Sequence, residues 1–332
     1  MSKHTKATMW KLAGGTLLVS SVVVASTIAP FTTTWFVAFV VVCFGAPGLA
    51  CIRHGQRLAA PTANELLSRD LRPPVLYLRS FEQDTVSSRW SDFKNPTDYL
   101  NPLGKNMELE TEEVTLARVM KQIGPFITVG RPGEELPELG AARIYADDAG
   151  WQEKVTDLIA RARLVVFRFG TVVSDDFILL RLAAPVPWVY WELQKTTEIL
   201  KPQQMIFLIA FSTIKEYDDF RRTVEKYLSR LLPDFPKFGI FNRLYEGRIN
   251  AVIYFDEKGI SHIAALKGKK RTTQLAMELE RVLTPVARGI GCDWRRPITM
   301  RHRALLIGIS IFVLMLLSLL VTVVLGFSLS RN

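Results

Sequence analysis

Three pieces of one stretch decide the fold: Ala162–Gly170, ARLVVFRFG; Pro187–Leu200, PWVYWELQKTTEIL; and Gln203–Phe211, QQMIFLIAF. Leu164–Phe167 and Met205–Ile209 are short apolar runs rich in β-branched and aromatic residues, the pattern of strands covered on both faces. Trp188 to Leu200 between them has helical character. Strand, helix, strand is one βαβ unit, and its parallel strands imply a right-handed crossover. Ligands of such sheets bind beyond the carboxyl ends of the strands. Glu192, early in the helix that follows such an end, is therefore the candidate acid.

Working outward, the same alternation continues on both sides. Val75–Phe81 is a first strand. A polar insertion, Glu82–Met107, follows, and Thr111-Glu112-Glu113 opens a helix that Gly124-Pro125 stops. Phe126–Val129 is a second strand, running into a turn-forming loop from Gly130 to Gly140. Asp147-Asp148 caps a helix from Trp151 to Ala162. Beyond the central unit come an amphipathic helix, Glu216–Leu232, a fifth strand, Ala251–Phe255, and a final helix, Thr273–Arg288. This is a doubly wound α/β domain with a parallel sheet of about five strands, spanning 61–300.

The chain has 332 residues, 48% of them hydrophobic, and a formal net charge of +10. The basicity sits at the ends: +5 over Met1–Ala60 and +4 over Asp293–Asn332, which leaves +1 for Pro61–Cys292. A nearly neutral folded domain argues against a nucleic-acid partner, which wants a basic face. Three apolar stretches, Trp10–Ala29, Phe31–Ile52 and Leu305–Leu329, reach the length of about 20 residues that a helix needs to cross a bilayer. The first two form an N-terminal hairpin within 1–60 (about 10–29 and 31–52). The third lies in 301–332, at about 304–327. A cleaved signal is the competing reading for the first, against which Val24–Ala29 offers a poor cleavage site. Lys3, Lys6, Lys11, Arg53, Arg57, Arg295, Arg296, Arg301 and Arg303 flank the inner ends. They predict a cytoplasmic N-terminus and α/β domain with an outside C-terminus.

Cys43, Cys51 and Cys292 form no CxxC, and His4, His54, His262 and His302 are scattered, so neither a disulfide framework nor a metal site is indicated. Gly268–Thr272 has the look of a phosphate loop but lacks the upstream glycine spacing. It reads as a solvated basic turn or as a contact for anionic headgroups. No GxSxG elbow or Ser–His–acid set is present.

Several phrases carry a resemblance: VLYLRSFEQD at the first strand, GPFITVGRPGEELPELGAARIY across the second and its loop, ARLVVFRFG, and WEL. Together with the order of elements they resemble TIR-like domains of bacterial multi-pass membrane proteins, over Val75 to about Phe211. The resemblance implies a flavodoxin-like fold and, for catalytic members, cleavage of NAD as substrate with no bound cofactor. It makes Glu192 the catalytic acid, its carboxylate holding the ribose hydroxyls as positive charge develops on the sugar. It places Arg79 and Ser80 where the family presents polar residues to a nucleotide. Arg131 can meet a phosphate, and Trp188 or Trp191 can stack on a base. It implies a bacterial inner (plasma) membrane protein that self-associates and works in signalling or defence. The alternative is a non-catalytic module that binds protein partners or a nucleotide at the membrane. The connection from Gly170 to Pro187 is longer than in catalytic members.

Overall fold

In the computed structural model, the described residues are 2–28, 34–79, 112–130, 139–145, 150–170, 187–211, 213–236, 248–266 and 272–292. Two compact units divide the chain, one built on Met1–Ala59, the other on Ala60–Asn95 and Pro102–Arg295.

The first unit holds α1 (Lys3–Ile28) and α2 (Thr34–Ala59), each 26 residues long and so about 39 Å at 1.5 Å per residue. Both begin or end well outside the apolar stretches, because charged flanks continue a helix as readily as apolar residues do. The two run antiparallel. A Cβ on Gly48 would come within 2.9 Å of the Gly14 carbonyl, and one on Gly55 within 2.7 Å of the Ala7 carbonyl. The buried residues between them are small: Ala7, Gly14, Ser21 and Ala25 on α1, and Gly45, Gly48 and Gly55 on α2. Large apolar side chains point outward instead, Leu12, Met9, Val19, Phe39 and Phe44 among them. A hairpin in water would bury the large residues. Close backbone approach through small ones, with bulky residues turned out, is how helices associate in lipid. By length and composition, Lys3–Ala25 is the one helix among the described residues able to cross a membrane. The second expected span lies in α2 from Thr34 onward, its first three residues being outside the described ones, and the third lies outside the described residues.

The second unit is a seven-stranded sheet with helices on both faces. Its strands are β1 (Val75–Leu78), β2 (Phe126–Val129), β3 (Ala142–Ile144), β4 (Leu164–Gly170), β5 (Met205–Ala210), β6 (Ala251–Phe255) and β7 (Ser261–Ala265), in the spatial order β3-β2-β1-β4-β5-β6-β7. The first five positions are parallel, and β6 and β7 add to one edge as an antiparallel pair. The expected sheet of about five parallel strands is therefore corrected to seven, with a mixed edge. The two additional strands are β3, three residues long with Arg143 at its centre, and β7, whose Ser261 and His262 break the apolar run. Neither has the continuous hydrophobicity of a doubly covered strand.

The helices of this unit are α3 (Ala63–Arg69), α4 (Glu112–Met120), α5 (Trp151–Arg161), α6 (Pro187–Ile199), α7 (Ile214–Leu228) and α8 (Thr272–Gly289). Capping boxes start two of them, Thr62 with Glu65 at α3 and Thr213 with Glu216 at α7, each closing the first turn's free amides. At α5 the expected acidic cap is replaced by Gly150, which makes no side-chain cap bond. One face of the sheet, with Leu76, Leu78, Val165, Phe167, Phe207 and Ile209, packs on α5, α6 and α7. The other face is covered by α4 and α8, which pack on each other.

Candidate functional site

The chain moves outward from β1 to β2 and β3, then returns to β4 on the other side of β1. The carboxyl ends of β1 and β4 are thus the point where the winding reverses, the usual mouth of a ligand crevice in such sheets. Alternation along the strands puts Tyr77, Arg79 and Arg168 on one face there. The first turn of α4 comes down on that face with Glu112 and Glu113.

The result is a buried double ion pair. Arg79 Nη1 lies 2.5 Å from Glu113 Oε2, with side-chain exposures of 3% and 1%. Arg168 Nη2 lies 2.8 Å from Glu112 Oε2. Each carboxylate is held further by a backbone amide: Ala141 N–H donates to Glu113 Oε1 at 3.2 Å, and Ile249 N–H to Glu112 Oε1 at 2.8 Å. The Arg79 guanidinium also lies over the Tyr77 ring, 4.9 Å from its centre. Two acids in the first turn also suit the positive end of the helix dipole. Gly140 completes the fit: with φ at +142°, it adopts a backbone conformation disfavoured for other residues, and a Cβ there would run into the Glu113 side chain.

Glu192 has a different environment. Val189, Glu192, Leu193 and Thr196 are the buried residues of α6, spaced as one helical stripe that faces the core. Glu192 is 6% exposed. Its Oε2 has no hydrogen-bond partner. The Thr196 hydroxyl donates to the Glu192 backbone carbonyl, not to its carboxyl group. Burial alone pushes the carboxyl pKa up to about 8, so at neutral pH it carries its proton. Lys195, the cation nearest in sequence, pairs instead with Glu198 at 2.8 Å.

The sequence-derived candidates separate accordingly. Arg79 is engaged by Glu113, so it is not an open guanidinium waiting for a nucleotide. It also belongs to the opposite sheet face from α6. Trp191 is half-buried, with its ring edge-to-face on Trp151 at 5.1 Å between centres. Trp188 lies in the first turn of α6. Ser80 and Arg131 lie outside the described residues. Glu112, Glu113 and Arg168 are not among the sequence-derived candidates. The signal for Arg168 was present, since a lone arginine interrupts an otherwise apolar buried strand and must have an anionic partner. Among the described residues, no group of three His, Cys, Asp or Glu side chains is placed to hold a metal ion.

Comparison with known proteins returns no matching family model, no matching curated sequence and no matching solved structure.

Proposed function

We propose that this chain is a membrane-anchored TIR-like protein whose α/β domain cleaves the N-glycosidic bond of NAD or a related nucleotide, in signalling or defence at the bacterial inner membrane. The observation that carries the reading is the Glu192 carboxyl, buried and without a partner on Oε2, on the helix that follows the carboxyl end of β4. An unpartnered buried carboxyl costs stability, and such costs concentrate at sites that bind or react. A cationic nicotinamide nucleotide beside it reverses the balance: the positive charge favours the carboxylate, and the proton leaves. The carboxylate then stabilises the positive charge that develops on the ribose as the bond to nicotinamide breaks, and water completes the product ADP-ribose. No strong general acid is needed, because nicotinamide departs as a neutral group.

The anchoring part of the reading rests on the hairpin, whose small-residue seam and outward bulky side chains suit lipid. With the flanking basic residues it supports a cytoplasmic domain. Self-association of the membrane segments would bring domains together.

One observation favours a second reading, a non-catalytic module that binds a protein partner or a nucleotide. At the mouth beside β1 and β4 the two arginines are engaged, as Arg79–Glu113 and Arg168–Glu112, rather than presented to a phosphate. One experiment separates the two. The full chain is reconstituted at high density in vesicles and incubated with NAD, and free nicotinamide is measured beside Glu192→Gln. Release by the parent and loss of release in the variant are expected. Absence of release, or equal release by both, leaves the binding module.

A further inference from the structure

The amino end of the sheet, opposite the candidate site, has a character of its own. Six connections meet there: 69–74, 121–125, 161–163, 200–204, 229–232 and 256–260. Hydrogen bonds join the first four into one set and the last two into another. Arg72 donates to the carbonyls of Lys121 and Gln122, Arg163 N–H to Pro74, and the Gln204 amide to Arg163. Further along, Arg230 donates to the Gly259 carbonyl and the Ser261 hydroxyl to that of Leu231.

Two properties coincide at this end. The six segments hold eight Lys or Arg and three Asp or Glu; with Asp157, which pairs with Arg161, the net charge is +4 against +1 for the whole of Pro61–Cys292. One end of a nearly neutral domain is thus strongly basic, and the remainder is acidic by difference. Lys121, Arg161, Lys201, Arg230 and Lys258 are all exposed. Among them stand apolar side chains turned into solvent: Leu71 is 91% exposed, Leu231 80% and Ile260 55%. Isolated exposed leucines are ordinary. Leucine and isoleucine at loop tips within a basic field match the chemistry of an anionic lipid surface, where cations meet headgroups and apolar tips enter the boundary.

The path of the chain points to the same occupant. After α8 the chain passes Cys292, whose thiol lies against the Ile123 carbonyl at this end. Arg295, Arg296, Arg301, Arg303 and the start of the apolar run Leu305–Leu329 follow within 13 residues.

We infer that the amino end of the sheet is a docking face for an anionic bilayer surface, with Leu71, Leu231 and Ile260 seated among the headgroups. The inference rests on the reading that the chain is membrane-anchored. It deepens that reading by fixing which end of the domain meets lipid. The carboxyl end, with the helix that carries Glu192, then faces away from the membrane.

The test uses the full chain in nanodiscs of phosphatidylcholine, alone or with about one third phosphatidylglycerol, and reads amide exchange by mass spectrometry. Peptides covering 69–74, 229–232 and 256–260 are expected to exchange about fivefold more slowly in the anionic discs, the factor that one headgroup contact supplies. High salt, or the double variant Leu231→Glu/Ile260→Glu, should abolish the difference. Peptides over 187–193 should exchange alike in both discs. Equal exchange of these segments in the two lipids, or slowing at the carboxyl end, overturns the inference. So does equal protection in neutral discs, which would assign the face to a protein contact. Extraction of the chain from vesicles by alkaline carbonate would defeat anchoring itself. The face is then read by flotation of the released chain with the same anionic vesicles, and absence of flotation overturns it.

Discussion

Arg79 and Glu113, 34 positions apart in the chain, meet at 2.5 Å where the first strand ends and the next helix begins, both withdrawn from water. Two buried charges are held there by each other and by the neighbouring Ala141 amide. Such a pair adds little net stability but is costly to break, because removing one partner strands the other charge in a medium of low polarity.

Glu113→Leu and Arg79→Met are therefore each expected to lower stability by about 3–5 kcal/mol, whereas the two together recover most of the loss. Denaturant unfolding of the parent, the two single variants and the double variant checks this. Additive losses would mean that the two residues do not act as a pair.

Gly140→Ala is expected to destabilise through the same cluster by about 1–3 kcal/mol, since it combines a positive φ with a Cβ pressed against Glu113. In the background of Glu113→Ala the steric part should vanish and only the backbone part remain. Thermal melts of the two backgrounds give the comparison.

Glu192 predicts an unusual pH dependence. Its folded pKa of about 8 lies above the ordinary carboxyl value of 4.5. Between those values the folded chain holds a proton that the unfolded chain has released. Stability from this group is therefore full below about pH 4.5, falls as pH rises, and reaches its floor above about pH 8. The fall is on the order of a few kcal/mol. Glu192→Gln should remove the slope, making the variant more stable than the parent at pH 9. Unfolding free energies of both, measured from pH 5 to 9, decide it, and parallel curves would contradict the burial.

The same titration bears on activity. If the carboxylate is the working form, nicotinamide release should rise with pH, with a midpoint near 8 at low NAD. Saturating NAD should move the midpoint downward, because the cationic ligand favours the charged carboxyl. A pH-independent rate abolished by Glu192→Gln would point to a positioning role instead.

The hairpin makes a separate prediction. Gly14→Ile places a branched side chain against the Gly48 backbone and Ile52. It is expected to separate the helices and break the edge-to-face contact of Trp10 with His54, whose ring centres lie 4.8 Å apart. In a chain that keeps Trp10 as its sole tryptophan, quenching of its fluorescence by the His54 ring should be lost. Quenching unchanged from the parent would show that the seam tolerates the bulk.

The residues themselves determined much of this protein. Continuous apolar runs such as Leu164–Phe167 and Met205–Ile209 specify buried strands, because only a sheet covered on both faces has use for them. The helices between them follow from period and turn residues, and the N-terminal helices from length and hydropathy, all of which are local. Two strands lay below that threshold: β3 is too short and carries an arginine, and β7 is too polar, so each exists because a neighbouring edge pairs with it. Tertiary structure alone decided the partners. Glu112 and Glu113 read as ordinary first-turn acids until the strand order brings Arg168 and Arg79 beneath them. Glu192, one turn from Lys195, shows no sign of burial in the sequence; the stripe of Val189, Leu193 and Thr196 turns it toward the core. Charge pairing and burial depend on contacts between elements far apart in the chain, and a linear pattern carries periodicity but not proximity.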